Sequence, residues 1–213
     1  MRGFTACGRI SQVEKIEMTR ASKQYEYMSL DDFEELLADK PADEKWELIG
    51  GRVVRMSRGD NWRHNRIVAN VTAALLIGLR GKGSDCRPFF ESFWLKRNSL
   101  NLACFPDGMV RRGPLSDHAK SLDDPIVIAE VVTKGSAQRD LGEKFGLYRR
   151  LPSLEHYVLI ECDSVSVDVY SRSGGGFFIP PQLSEIDDVL RLPAIDFETP
   201  LCEIYRDVIP AAS

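Results

Sequence analysis

The chain has 213 residues, enough for one domain with an extension, and its 43% apolar and 28% charged content excludes a disordered protein. No apolar run is long enough to span a bilayer, and no signal-like leader opens the chain, so a cytoplasmic protein with no membrane partner is expected. The net charge of −4 excludes a global nucleic-acid footprint, and five cysteines without a CxxC pair exclude a disulfide framework or zinc knuckle.

Residues 1–27 lack any period and read as a flexible N-terminal extension. A single domain is expected over 28–213. "SLDDFEELLADK" predicts a helix: Ser29 suits the N-cap, Asp31 and Asp32 suit the positive end of the dipole, and Leu30, Phe33, Leu36 and Leu37 form the stripe. "KWELIGGRVVRMS" predicts a hairpin turning at Gly50-Gly51. "RHNRIVANVTAALLIGLRGKG" predicts a second helix, with Ile67, Val68, Val71, Ala74, Leu75 and Leu79 on one side.

Strands are expected at about Cys86–Lys96 and Leu102–Arg111, followed by a polar loop. Ile126–Thr133 is apolar on both faces and reads as a central strand. Ser136 would cap a helix reaching about Arg150. A second hairpin turning near Asp163-Ser164, a short strand, an edge strand and a terminal turn complete the order. The fold class is α/β (α+β), a mixed β-sheet flanked by helices.

Two acids stand inside apolar runs. Glu130 interrupts the central strand, and Asp107 follows Pro106, which withdraws a ladder donor. On adjacent strands they would repel each other unless a positive group lay between them. A divalent cation suits such a pair. Asp140, Lys144 and Tyr148 share one side of the following helix, with Lys144 at the border between core and solvent. An Asp140–Lys144 helix pair is the plainer alternative.

Charge is unevenly spread. Residues 31–47 carry a net −6, whereas Arg52, Arg55, Arg58, Arg63 and Arg66 against Asp60 give residues 52–66 a net +4. That stretch is either a phosphate-binding patch or a solvated face of scattered ion pairs. Trp46, Trp62 and Trp94 are stacking candidates, with packing as the alternative.

"WELIGGRVV" at 46–54, "RHNRIV" at 63–68, "FPDGMV" at 105–110, "AEVVTKGSAQRDLGEKFGLYRR" from 129 and "EHYVLIE" at 155–161 occur in an order that resembles the Uma2 family (DUF820) over about residues 28–206. Members are described as endonucleases of the PD-(D/E)xK superfamily. The resemblance implies a restriction-endonuclease-like core and Mg²⁺- or Mn²⁺-dependent hydrolysis of DNA phosphodiester bonds. Asp107 and Glu130 would hold the cation, with Glu47 as a further metal ligand. His64 matches a helix-start histidine that would line the cleft or touch phosphate, beside the arginines of 52–66. It also implies a homodimer, since cutting both strands needs two sites.

The superfamily's lysine stands two residues after the strand glutamate, where this chain has Val132. Lys144 matches the family's helix lysine and is the first candidate for a relocated one, with Lys134 second. Loss of that lysine also admits a module that keeps the fold and binds nucleic acid or a protein without cutting.

Overall fold

The structure is a computed structural model and describes residues 27–56, 62–133, 140–178 and 182–208. Arg58, Lys134, Ser136, the Asp140 side chain and residues 1–26 of the expected extension lie outside the described residues.

Helix α1 spans Leu30–Ala38; Ser29 Oγ accepts from the Asp32 amide at 3.1 Å, satisfying one of the first turn's unpaired donors. Its Phe33 packs against Trp46, Leu48 and Ala103. Strands β1 (Lys45–Ile49) and β2 (Arg52–Met56) form the expected hairpin. Gly50 and Gly51 turn at φ +58° and +88°, which L side chains rarely adopt. Helix α2 (Trp62–Gly81) buries Ile67, Val68, Val71, Leu75 and Leu79, the periodic stripe read from the sequence, and with them His64.

The next two expected strands are four. β3 (Cys86–Phe90) and β6 (Gly108–Arg112) pair in one sheet, and β4 (Trp94–Arg97) and β5 (Leu102–Cys104) pair in another. Together they form a long hairpin that bends from one sheet into the other. On the outgoing arm the bend is at Glu91, where φ is +29° and the Ser92 amide reaches back to the Phe90 carbonyl at 2.5 Å. On the returning arm it is at Phe105-Pro106-Asp107, where proline cannot continue the ladder. Each corner therefore carries an acid.

β7 is the short Ser121–Leu122, and β8 (Val127–Val132) is the buried strand expected from the sequence. A π turn over Asp140–Lys144 leads into the short helix α3 (Phe145–Tyr148). β9 (His156–Glu161) and β10 (Val167–Ser173) make the second hairpin, extended by β11 (Gly176–Phe178). β12 (Val189–Leu192), β13 (Phe197–Pro200) and helix α4 (Leu201–Ile204) close the described chain.

The six-stranded sheet has the order β11-β10-β9-β8-β6-β3, and the five-stranded sheet β2-β1-β5-β4-β7. β8 runs parallel to β9 and antiparallel to β6. Alternation on β8 divides the core. Val127, Ala129 and Val131 face α2, while Ile128 and Val132 pack with Leu95, Leu102 and Met109 in the layer between the sheets. Glu130 shares the parity of that second set. The architecture is the mixed α+β class expected.

Candidate functional site

Glu130 faces a lysine and a tyrosine. It is 4% exposed; Tyr148 Oη donates to its Oε1 at 2.9 Å, and Lys144 Nζ lies 3.3 Å from the same oxygen. Glu47 of β1 enters the same layer at 1% exposure. Its Oε1 accepts from the Phe105 amide at 2.8 Å, and its Oε2 has Lys144 Nζ at 3.6 Å. No hydrogen bond reaches Glu47 Oε2 among the described residues.

Lys144 itself is 4% exposed, not at the border of core and solvent as the helical spacing suggests. Lys144 ends a π turn and Tyr148 ends α3, and the two side chains, four residues apart as expected, meet on the same carboxylate oxygen. Phe145, next along, is held by stacking on Tyr157 with centroids 5.0 Å apart and by Tyr170 and Phe177.

Three buried ions are costly. Desolvation takes several kcal/mol from each. Two attractions at these distances return about 4 kcal/mol apiece at an effective dielectric of 20. The balance does not favour stability, so the cluster is better explained by what it does than by what it holds together. Its neutral members stay neutral. Burial pushes the Tyr148 phenol well above its ordinary value, so it remains a donor. Burial, and then the Glu47 charge, push the Cys104 thiol up, so Cys104, 3.3 Å from Tyr148 Oη, is no nucleophile.

Asp107 belongs to a second, more open cluster. Extending the Gly108–Ala129 pairing by one step sets Asp107 opposite Glu130. There the proline has ended β5 and the β6 ladder has not begun. The Asp107 carboxylate fills the gap: Oδ2 accepts from the Val131 amide at 2.7 Å. His64 Nε2, from the first turn of α2, is 3.3 Å from the same oxygen. Side-chain exposure is 17% for Asp107 and 10% for His64. Glu91 reaches the group from the other corner of the bent hairpin. One ligand atom from each of His64, Glu91 and Asp107 lies within 4.8 Å of the others.

Glu91 is the residue that sequence reasoning passed over. The cue was present, because "PFFESFW" places an acid inside an apolar run, as "IVIAEVV" does for Glu130. The arginines divide. Arg52 pairs with Glu143 at 2.6 Å, Arg55 approaches Glu44 at 4.0 Å, and Arg63 lies 3.6 Å from Asp163. Arg66 is exposed on α2. Trp46 is buried under α1 and Trp94 lies against Phe105, whereas Trp62, two residues before His64, is 61% exposed.

A crystal structure described as "a putative nuclease belonging to DUF820 from Anabaena variabilis" superimposes with a TM-score of 0.69, covering 85% of this chain and 99% of that one at 15% identity. Residues 30–201 match the Uma2 family, described as "Putative restriction endonuclease", and the chain belongs to that family. Two proteins of Synechocystis sp. are similar. "Uncharacterized protein sll1609" is 28% identical over 66% of this chain and 80% of its own length. "Uncharacterized protein slr1290" is 27% identical over 76% of this chain and 84% of its own.

Proposed function

We propose that the protein is a divalent-metal-dependent endonuclease that hydrolyses DNA phosphodiester bonds at the corner of the bent hairpin. The observation that carries this reading is the convergence of Asp107, Glu91 and His64 beside the buried Glu130–Lys144 pair. A Mg²⁺ or Mn²⁺ bond of about 2.1 Å sets neighbouring ligand atoms about 3 Å apart and opposite ones about 4.2 Å apart. Donor atoms within 4.8 Å of one another fit that requirement. Asp107, His64 and Glu91 would hold the cation, and the imidazole nitrogen suits Mn²⁺ better than Mg²⁺. When bound, such an ion neutralises phosphate oxygens and makes water a better nucleophile.

The chain's own groups do the rest. The Val131 amide would fix the Asp107 carboxylate. Tyr148 and Lys144 fix Glu130, which stands opposite Asp107 in the register. The Lys144 ammonium brings to Glu130 the positive charge that Val132 lacks. Arg63 and Arg66, on the helix that carries His64, are the candidates to guide a DNA backbone to the site. The superfamily pattern from which this chain departs supports a second reading, a module that binds without cutting. Val132 is 1% exposed and packed in the core, where a lysine would otherwise stand. The 3.3 Å approach of Lys144 to Glu130 favours the enzyme.

Incubation with supercoiled plasmid in Mn²⁺ and in Mg²⁺ tests the proposal, with Asp107→Ala/Glu130→Ala purified in parallel. Nicking by the native protein at least about 100-fold above the double variant is the expected result, the scale for loss of principal transition-state electrostatics. Equal activity in both preparations would defeat it.

A further inference from the structure

Helix α2 has 20 residues, among them Arg63, Arg66 and Arg80 but no acid, in a chain of net charge −4. Its first residue, Trp62, is 61% exposed, although an indole is among the largest apolar surfaces a side chain offers. An isolated exposed aromatic needs no explanation. Trp62 is not isolated, because Asn65, Arg66 and Ala69 follow it at helical spacing and are exposed on the same face, away from the buried stripe. Arg63 stands at the edge of that face, its Cζ 5.7 Å from an indole ring centroid and its Nη1 3.6 Å from Asp163. The face therefore presents a flat ring, an amide and a guanidinium at the positive end of the helix dipole. Ring on base and cation on phosphate is how proteins hold a nucleic-acid strand.

We infer that Trp62 and Arg66 form a binding face for unpaired DNA: the indole stacks on a base that is free of its partner, and the Arg66 guanidinium takes a phosphate of the same strand. In a duplex the grooves expose only base edges, so an indole finds a free base face only on a single strand or where a duplex has opened. His64 lies about 200° round the helix from Trp62, so the indole points away from the Asp107 corner. The stacked base thus belongs to a nucleotide flanking the one presented to that corner, and the strand delivered to it is single or locally opened. The inference rests on the nuclease reading for the purpose of the contact, while the contact itself needs no cleavage.

The test is fluorescence anisotropy with labelled oligothymidylate and with a blunt duplex, in EDTA so that nothing is cut, for the full native chain, Trp62→Ala, Trp62→Phe and Arg66→Ala. Trp62→Ala should weaken binding of the single strand at least about fivefold, the lower end for one base–aromatic stack, and leave duplex binding unchanged. Trp62→Phe keeps a ring and should restore most of the loss. Arg66→Ala should lower the salt slope of single-strand binding by about 0.7, the value for one phosphate contact. The oligonucleotide should also quench tryptophan emission in the native protein, and the quench should vanish in Trp62→Ala. No single-strand binding by the native protein, or equal binding by native and Trp62→Ala, would overturn the inference. So would an equal loss on both substrates, or a native dimer that Trp62→Ala turns into a monomer in sedimentation, which would assign the face to a second copy. Trp62-dependent binding without plasmid nicking would sustain the inference and defeat the endonuclease reading, whereas nicking with Trp62-independent binding would do the reverse.

Discussion

The two acid clusters of this protein lie side by side and solve opposite problems. The inner one, Glu47, Glu130, Lys144 and Tyr148, is dry and carries its own cation. The outer one, His64, Glu91 and Asp107, sits at a strained, more open corner and includes no lysine or arginine among the described residues. The inner charges are sealed between sheets, whereas the outer ones lie where solvent could deliver an ion. The difference teaches that exposure, more than the count of acids, separates a self-compensated ion cluster from a candidate ligand site.

The largest effect should come from breaking the inner cluster. Lys144→Ala leaves two buried carboxylates without compensation and should cost about 3–5 kcal/mol of folding stability. Asp107→Ala, in the outer cluster, removes a hydrogen bond to one amide and should cost about 1 kcal/mol. Urea denaturation of the two variants side by side measures the contrast, and equal losses would erase the distinction between the clusters.

Glu91→Gly sharpens it. Glycine accepts a positive φ without penalty, so relief of strain at the corner should raise stability by about 0.5–1 kcal/mol. The same change removes a proposed ligand and should weaken Mn²⁺ binding at least about tenfold, a typical scale for a disturbed ligand set. Thermal melting and Mn²⁺ titration on one preparation read both. Lower stability with unchanged Mn²⁺ affinity would remove Glu91 from the site.

The smallest effect is a control remote from both clusters. His156 is 6% exposed; its Nε2 accepts from the Ala194 amide at 3.3 Å, and its Nδ1 is 2.9 Å from Ser171 Oγ. Burial lowers its pKa from the ordinary 6.5, so the folded protein holds it neutral. The unfolded chain then binds the extra proton, and this contribution to stability, complete above about pH 6.5, declines as pH falls below that value. Melting temperatures at pH 7.5 and 5.5 should differ more in the native protein than in His156→Gln.

Much of the framework was legible in the sequence. The α1 cap, the Gly50-Gly51 hairpin, the α2 stripe and the buried β8 all follow from local periodicity or turn chemistry, which operate within a few residues. The break at Pro106 was read from the proline, but the bend at Glu91 and the passage of both arms into a second sheet were not. Apolar residues flank both corners, and membership of one sheet or the other is decided by partners far along the chain. The shared side of Lys144 and Tyr148 was legible from their spacing, but the depth of Lys144 was not, because its acid partners come from two distant strands. Asp107 and Glu130 stood out because an acid in an apolar run demands a partner. Glu91 met the same condition inside an aromatic run that drew attention to stacking instead.

The bond between Asp107 and the Val131 amide has a practical consequence. That N–H belongs to the central strand, yet its acceptor is a side chain of the outer cluster. Any redistribution of electron density on the carboxylate reaches this one proton directly. The Val131 resonance is thus a built-in spectroscopic reporter, wired from the backbone to the place where an ion would arrive.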